Sequence, residues 1–328
     1  MKSLSPQLTG VLLALAMLAL AVAPFVIYSR FLIEIMCFAL LAASLNLLVS
    51  YAGLLSFGHA MFFGAAAYVT GHAMKAWGLE PVTGIFAGVL VAAAIGLVTG
   101  VLAVRLQGIY FSMVTLAFAQ LILFIALNME FTGGEDGLQN VPRRPLLGLI
   151  DLSSNLAMYY MVAIITALGF FVVYRVVHSP FGQALKAIRA NEARAISLGF
   201  RANRFKLIVF VISSSLAGLA GATRAVANQV VTLTDVHWMT SAEALLICIL
   251  GGIYTLAGPV VGAVLIVSMS HYLSSYAEWI LIIQGTVFIV IVTLFRKGIV
   301  GELHAWLDRR AAAREAARLT SVASSKVD

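Results

Sequence analysis

The chain has 328 residues, of which 62% are hydrophobic and 11% charged, with a net charge of +7. A soluble domain draws about a quarter of its residues from Asp, Glu, Lys and Arg. A soluble globular protein is therefore excluded, and an all-α polytopic membrane protein remains. Two cysteines, Cys37 and Cys248, fall inside apolar runs and lack the paired spacing of a disulfide or metal site.

Hydrophobic runs able to cross a hydrocarbon core of about 30 Å occur at 8–28, 31–50, 60–77, 82–104, 109–128, 156–177, 207–228 and 276–295. The first follows Lys2 and contains Ala21-Val22-Ala23, as a signal peptide would. Its apolar part is too long for one and another span follows at once, so an uncleaved first helix is expected. Of the 21 Lys and Arg residues, all but Arg30, Lys75, Arg143, Arg144 and Arg224 fall on one side if six helices precede residue 178. Cytoplasmic loops keep basic residues, which makes that side cytoplasmic.

The stretch 242–273 must then cross twice or not at all, because basic loops stand on both sides of the 207–295 region. As one helix it would measure about 48 Å, too long for a bilayer. Gly251-Gly252 and Gly258-Pro259 interrupt it, so the expectation is a short helix 242–253, an irregular turn and a second arm 256–273. The total is about ten transmembrane segments with both ends cytoplasmic, a transmembrane domain 1–295 and a basic tail 296–328. Segments 2–5 and 7–10 would form an inverted repeat, with Gly108-Ile109-Tyr110 recurring as Gly252-Ile253-Tyr254.

One polar interruption stands out. Residues 178–206 carry Lys186, Arg189, Arg194, Arg201, Arg204 and Lys206 against the single acid Glu192. On a helix, Phe181, Leu185, Ile188, Ala195 and Ile196 share one face, with Lys186 and Arg189 turned from it. Such an element docks its apolar face into a partner's groove or lies on anionic lipid.

Several strings belong together: Gly53-Leu54-Leu55-Ser56-Phe57-Gly58-His59-Ala60, Gly108-Ile109-Tyr110-Phe111 with Thr115-Leu116-Ala117-Phe118, and Thr132-Gly133-Gly134 with Asp136-Gly137-Leu138. The run Ala187-Ile188-Arg189-Ala190-Asn191-Glu192 through Leu198-Gly199, and Leu256-Ala257-Gly258-Pro259-Val260-Val261-Gly262-Ala263, extend the set. With these strings the chain resembles the permease subunits of branched-chain amino-acid ABC importers. The Thr-Gly-Gly loop resembles the LivM-type member of the permease pair. The resemblance implies that the chain forms the translocation path for Leu, Ile, Val or related small solutes.

It also implies that 178–206 couples to an ATPase through Phe181, Leu185, Ile188, Arg189, Asn191, Glu192, Arg194, Leu198 and Gly199. The commoner importer loop has Glu-Ala-Ala with a glycine six residues on, whereas Glu192-Ala193-Arg194 precedes Gly199 by seven. Implied partners are two ATPase subunits, a second LivH-type permease, a periplasmic or extracellular binding protein and membrane lipid. No nucleic acid is implied, and no cofactor or metal on this chain, since ATP and magnesium would sit on the ATPase. The chain has no Gly-x-x-x-x-Gly-Lys-[Ser/Thr] of its own.

Polar groups within the spans, Asn46, Ser112, Thr115 and Gln120, together with the break at Gly258-Pro259, are candidates for the path. In the outer loop, Thr132, Gly133, Gly134, Asp136 and Gly137 either shape a gate or contact a binding protein, or simply form turns. Glu34 lies near a span end, and Arg224 and Glu243 flank 229–241 as an ion pair or a substrate contact. His59 and His72 are candidate polar helix contacts. An ion-driven secondary transporter using Glu34, Glu243 or a histidine is the alternative function.

Overall fold

The computed structural model describes residues 22–145, 151–273, 279–295, 298–303 and 305–306. Most of the expected first span and the basic tail residues Arg309, Arg310, Arg314 and Arg318 lie outside the described residues. Among the described residues the chain is helical, with one isolated antiparallel bridge, Leu138 to Val231.

Helix α1 is Ser29–Leu47 and continues as a π-helical turn, Leu48–Ala52. There follow α2 (His59–Lys75), α3 (Pro81–Ala103), α4 (Ile109–Asn128) and α5 (Asn155–His178). Two short helices, α6 (Pro180–Ala190) and α7 (Glu192–Ser197), lead to α8 (Ala202–Asn228), α9 (Trp238–Gly251), α10 (Gly258–Tyr272) and α11 (Ile280–Leu294). Among the described residues six helical stretches are long and apolar enough to cross a membrane: α1 with its π turn, α3, α4, α5, α8 and one beginning at Ile282. The shorter apolar helices α9 and α10, of 14 and 15 residues, each rise only about 22 Å.

The interruption foreseen within 242–273 is present, but α9 starts four residues earlier than expected, at Trp238. Its first turn is capped by His237, whose Nδ1 accepts from the Met239 amide at 3.3 Å. The turn between α9 and α10 is tight. A Cβ on Gly251 would lie 1.8 Å from the Gly258 carbonyl oxygen, so only glycine admits this approach of backbones.

α1 and α8 are the most buried spans and run antiparallel through the centre. Ser213 of α8 donates to the Ser44 carbonyl of α1 at 2.6 Å, and Arg224, three turns on, meets Glu34. The α2–α3 hairpin packs on α8, while the α9–α10 hairpin packs on α1. Small residues make these contacts close. Gly88 lies against the Ala66 carbonyl, Gly96 against Ser214, Gly218 against Ala92 and Gly221 against the Phe63 carbonyl. One end of the bundle carries α6 and α7 and is called the basic end. The opposite end carries the 129–145 and 229–237 stretches.

Replacing Gly221 by Ala sets a methyl against the Phe63 backbone and is expected to cost about 1–3 kcal/mol. Gly285→Ala, where nothing lies within 4 Å, should leave stability equal or slightly higher. Thermal unfolding in detergent checks the pair, and equal midpoints would contradict the packing described.

Candidate functional site

At the basic end the 178–206 segment folds as two helices rather than one. Ser179 caps α6, accepting from the Gly182 amide, and Pro180 takes the first helical position, where its missing N–H costs nothing. Asn191 then leaves helical geometry (φ −159°, ψ 101°) and caps α7 by accepting from the Arg194 amide at 2.9 Å. The restart after Asn191 breaks the single face drawn from the sequence.

Leu185, Ile188 and Ala195 are buried within the chain itself, and Phe181 stacks on Phe205 of α8 with ring centroids 5.4 Å apart. The apolar face expected to seek a partner's groove is thus closed in cis, because α8 begins immediately beside it. Ile196 falls off that face and is 55% exposed, next to Leu198 at 72% and the exposed Phe200. Gly199 turns the chain there with φ +92° and nothing within 4 Å of where its Cβ would be. Arg194 is exposed on the same short helix. Glu192 braces this knuckle, accepting from Lys206 Nζ at 2.6 Å and from Gln107 at 2.9 Å.

Above it, two stretches of non-helical backbone lie close together. The first, 53–58, joins the spans the sequence placed at 31–50 and 60–77. It is no solvent loop, since Leu54, Ser56 and Gly58 are buried. The second is the 252–257 turn. Their backbone groups are answered by side chains, as a low-dielectric interior requires. Thr115 Oγ1 accepts from the Phe57 amide, and Ser112 donates to the Leu55 carbonyl at 2.6 Å. Asn46 Nδ2 donates to the Thr255 carbonyl at 3.0 Å, and Ser50 Oγ donates to Asn46 Oδ1 while accepting from the Tyr254 amide. Gly258 donates to Thr255 Oγ1, and Pro259 opens α10. Ser241 of α9 accepts from the Ala60 amide at the start of α2.

Of the path candidates, Ser112 and Thr115 therefore brace the first break, while Asn46 and Gly258 brace the second. Gln120 differs: it is exposed midway along α4. It sits on a stripe with Ile109, Met113 and Phe124, which are also exposed. At the foot of this stripe is a cavity of about 410 Å³, lined by Gly53, Leu54, Leu55, Phe57, Gly108, Ile109 and Ser112.

At the opposite end the outer loop is folded down. Thr132 is buried and donates to the Ala126 and Met129 carbonyls. Gly133 and Gly137 both have positive φ and meet backbone at about 2.3 Å from a Cβ position, while Gly134 is also left-handed and Asp136 is exposed. Leu138 exchanges both amide bonds with Val231. Arg143 donates to the Ala227 carbonyl at the C-terminal end of α8, Arg144 to Gly78 and Lys75 to Gln139, while His72 stacks on Phe131 at 4.1 Å. Burial and the charge of Arg30 both push the Arg143 guanidinium below its ordinary pKa.

Arg224 is the centre of an ion cluster. It pairs with Asp235 and with Glu34, the latter at 3.2 Å, beneath the rings of Phe38 and Phe63. Glu243, the acid that the sequence sets beside Arg224 as an ion pair or a substrate contact, lies within reach of its charge, while the direct partner Asp235 is not evident from sequence. The only local signal was Thr232-x-x-Asp235, which forms a reciprocal capping box. His59 Nε2 bonds Ser213 Oγ at 2.8 Å, a helix–helix contact within the core.

The described residues thus form a helical membrane bundle with two paired backbone breaks and a braced helical knuckle outside its spans. Residues 27–292 match the family model described as the branched-chain amino acid transport system / permease component, and the chain belongs to that family. It is 30% identical over 314 residues to the high-affinity branched-chain amino acid transport system permease protein LivM of Escherichia coli, covering 86% of this chain and 72% of that one. LivM of Salmonella typhimurium is similar to the same degree over 309 residues. The ribose import permease RbsC of Bacillus subtilis is 27% identical over 146 residues, 41% of this chain and 45% of its own. No solved structure matches. The chain is therefore a multi-pass ABC-importer permease and not an enzyme, working with separate ATPase and substrate-binding partners. Family membership displaces the ion-driven alternative.

Arg224→Ala strands Asp235, whose side chain is only 7% exposed, and should cost about 3–5 kcal/mol. Glu34→Gln removes a pair whose acid is 38% exposed and should cost under about 1 kcal/mol. Denaturation in detergent separates the two, and a larger loss for Glu34→Gln would contradict the assignment.

Proposed function

We propose that this chain is the LivM-type half of a permease pair that carries leucine, isoleucine and valine across a bacterial inner membrane. A LivH-type permease would complete the pair, two ATPase subunits would hold ATP and magnesium, and an external binding protein would deliver the solute. The observation that carries this reading is the exposed Ile196–Leu198–Phe200 knuckle at the basic end, outside the spans. It is braced by Glu192 and rimmed by Arg194, so it offers an apolar plug with a positive border to an ATPase cleft.

Ten crossings with both termini cytoplasmic, a membrane domain of 1–295 and a tail of 296–328 complete the proposal. The short helices α9 and α10 would cross as a thin pair with the 252–257 turn toward the cytoplasm. The inverted repeat of α1–α4 with α8–α11 draws support from packing. Each hairpin lies on the other half's central helix, and α1 and α8 point in opposite directions. The α4 stripe from Ile109 to Phe124, with Gln120 at its middle and the 410 Å³ cavity at its foot, would face the second permease and form one wall of the path. A Gln facing hydrocarbon would be costly, and a water-lined or protein-lined position relieves it. The outer loop through Thr132 and Asp136 would receive the binding protein.

In the assembled importer, Ile196→Asp with Leu198→Asp should abolish co-purification of the ATPase while leaving the permease pair intact. Retention of the ATPase would remove the docking assignment. Uptake of radiolabelled leucine that depends on ATP and binding protein is the direct check on substrate, and uptake of urea or a short amide instead would redirect it. Cysteine at Thr234 should label from outside and at Ala257 from inside, whereas the reverse would overturn the orientation.

A further inference from the structure

We propose that Arg189 is the positioning residue that ties the coupling helices to both backbone breaks, so that movement of α6 pulls on 48–58 and 252–257 together. This rests on the importer reading above. From the last turn of α6, Arg189 donates to the Ser50 carbonyl in the middle of the π-helical turn that leads into the 53–58 break, and to the Tyr254 hydroxyl in the 252–257 turn. Its guanidinium lies 4.5 Å from the Tyr254 ring centroid, and its aliphatic stem passes Gly53 so closely that a Cβ there would stand 3.0 Å from Cγ.

The two breaks are also joined beneath it. Ser50 Oγ accepts from the Tyr254 amide, and Asn46 bridges Ser50 Oγ to the Thr255 carbonyl. Tyr254 is a non-glycine residue with φ +81°, a strained backbone state that persists only where the surroundings impose it. Arg189 and Ser50 supply that imposition from two sides. A planar fork suits this task, because it serves a carbonyl and a phenol at once while stacking on the ring. Glu192, by contrast, ties the same helices to α8 and the 104–108 connection and touches neither break.

The test uses the complete importer in proteoliposomes, with ATP hydrolysis and solute uptake measured on the same preparation. Arg189→Met is expected to assemble with the ATPase and to raise ATP consumed per solute about tenfold. Arg189→Lys should give an intermediate ratio, and Tyr254→Phe, which keeps the ring but removes the hydroxyl, about threefold. Because the two act through one contact, Arg189→Met with Tyr254→Phe should be no worse than Arg189→Met alone. Arg189 is itself solvent-accessible, so a direct ATPase contact is the rival explanation. Full additivity in the double variant would establish that rival and overturn the link. A wild-type ratio in Arg189→Met would overturn it equally. Absence of ATP-driven uptake in the wild-type complex would instead defeat the importer reading on which the link rests.

Discussion

Backbone that leaves helical geometry inside a hydrocarbon slab must find partners for its amides and carbonyls within the protein, since an unanswered group costs several kcal/mol. This chain leaves helical geometry twice at the basic end of its bundle, at 53–58 and at 252–257, and several polar side chains of its spans answer the backbone there. Asn46, Ser50, Ser112, Thr115 and Thr255 answer the freed groups, and Ser241 caps the helix that restarts at His59. The positions of α1, α2, α9 and α10 follow from keeping those two sites satisfied against one another.

That economy has a functional consequence. A run of unbroken helices resists bending because every residue shares in the hydrogen-bond ladder. A short break clamped by a few side chains can instead exchange one satisfied arrangement for another. Both breaks sit at the basic end, beside α6, the end proposed to dock the ATPase. The long central helices α1 and α8, joined by the Ser213–Ser44 hydrogen bond and by the Arg224 cluster at the far end, form the frame against which such a change works.

Much of this was legible in the chain. Span positions followed from hydropathy because the charged residues are few and collect outside the membrane, and the interruption near Gly251 and Gly258 followed from length and parity. The family likeness rested on motifs whose physical sense emerges only in three dimensions: Gly53 to His59 is a buried break, and Thr132 to Gly137 a folded-down cap. The sequence wheel for 178–206 found the apolar face but not its owner. A helix tethered directly to α5 and α8 buries that face against its own neighbours, and a cap at Asn191 turns Ile196 and Leu198 outward. Ser50 and Tyr254 carried no local signal of importance because their shared partner Arg189 lies 139 and 65 residues away in the chain, and Asp235 offered only its Thr232-x-x-Asp235 spacing.

The central claim is that the coupling helices and the two breaks move as one unit. Hydrogen–deuterium exchange on the assembled importer, compared between nucleotide-free and ATP-bound states, tests it most directly. The account predicts that amide protection changes together in 180–197, 48–58 and 252–257, with α3 unchanged. A change confined to 180–197, with both breaks as protected as before, would contradict it.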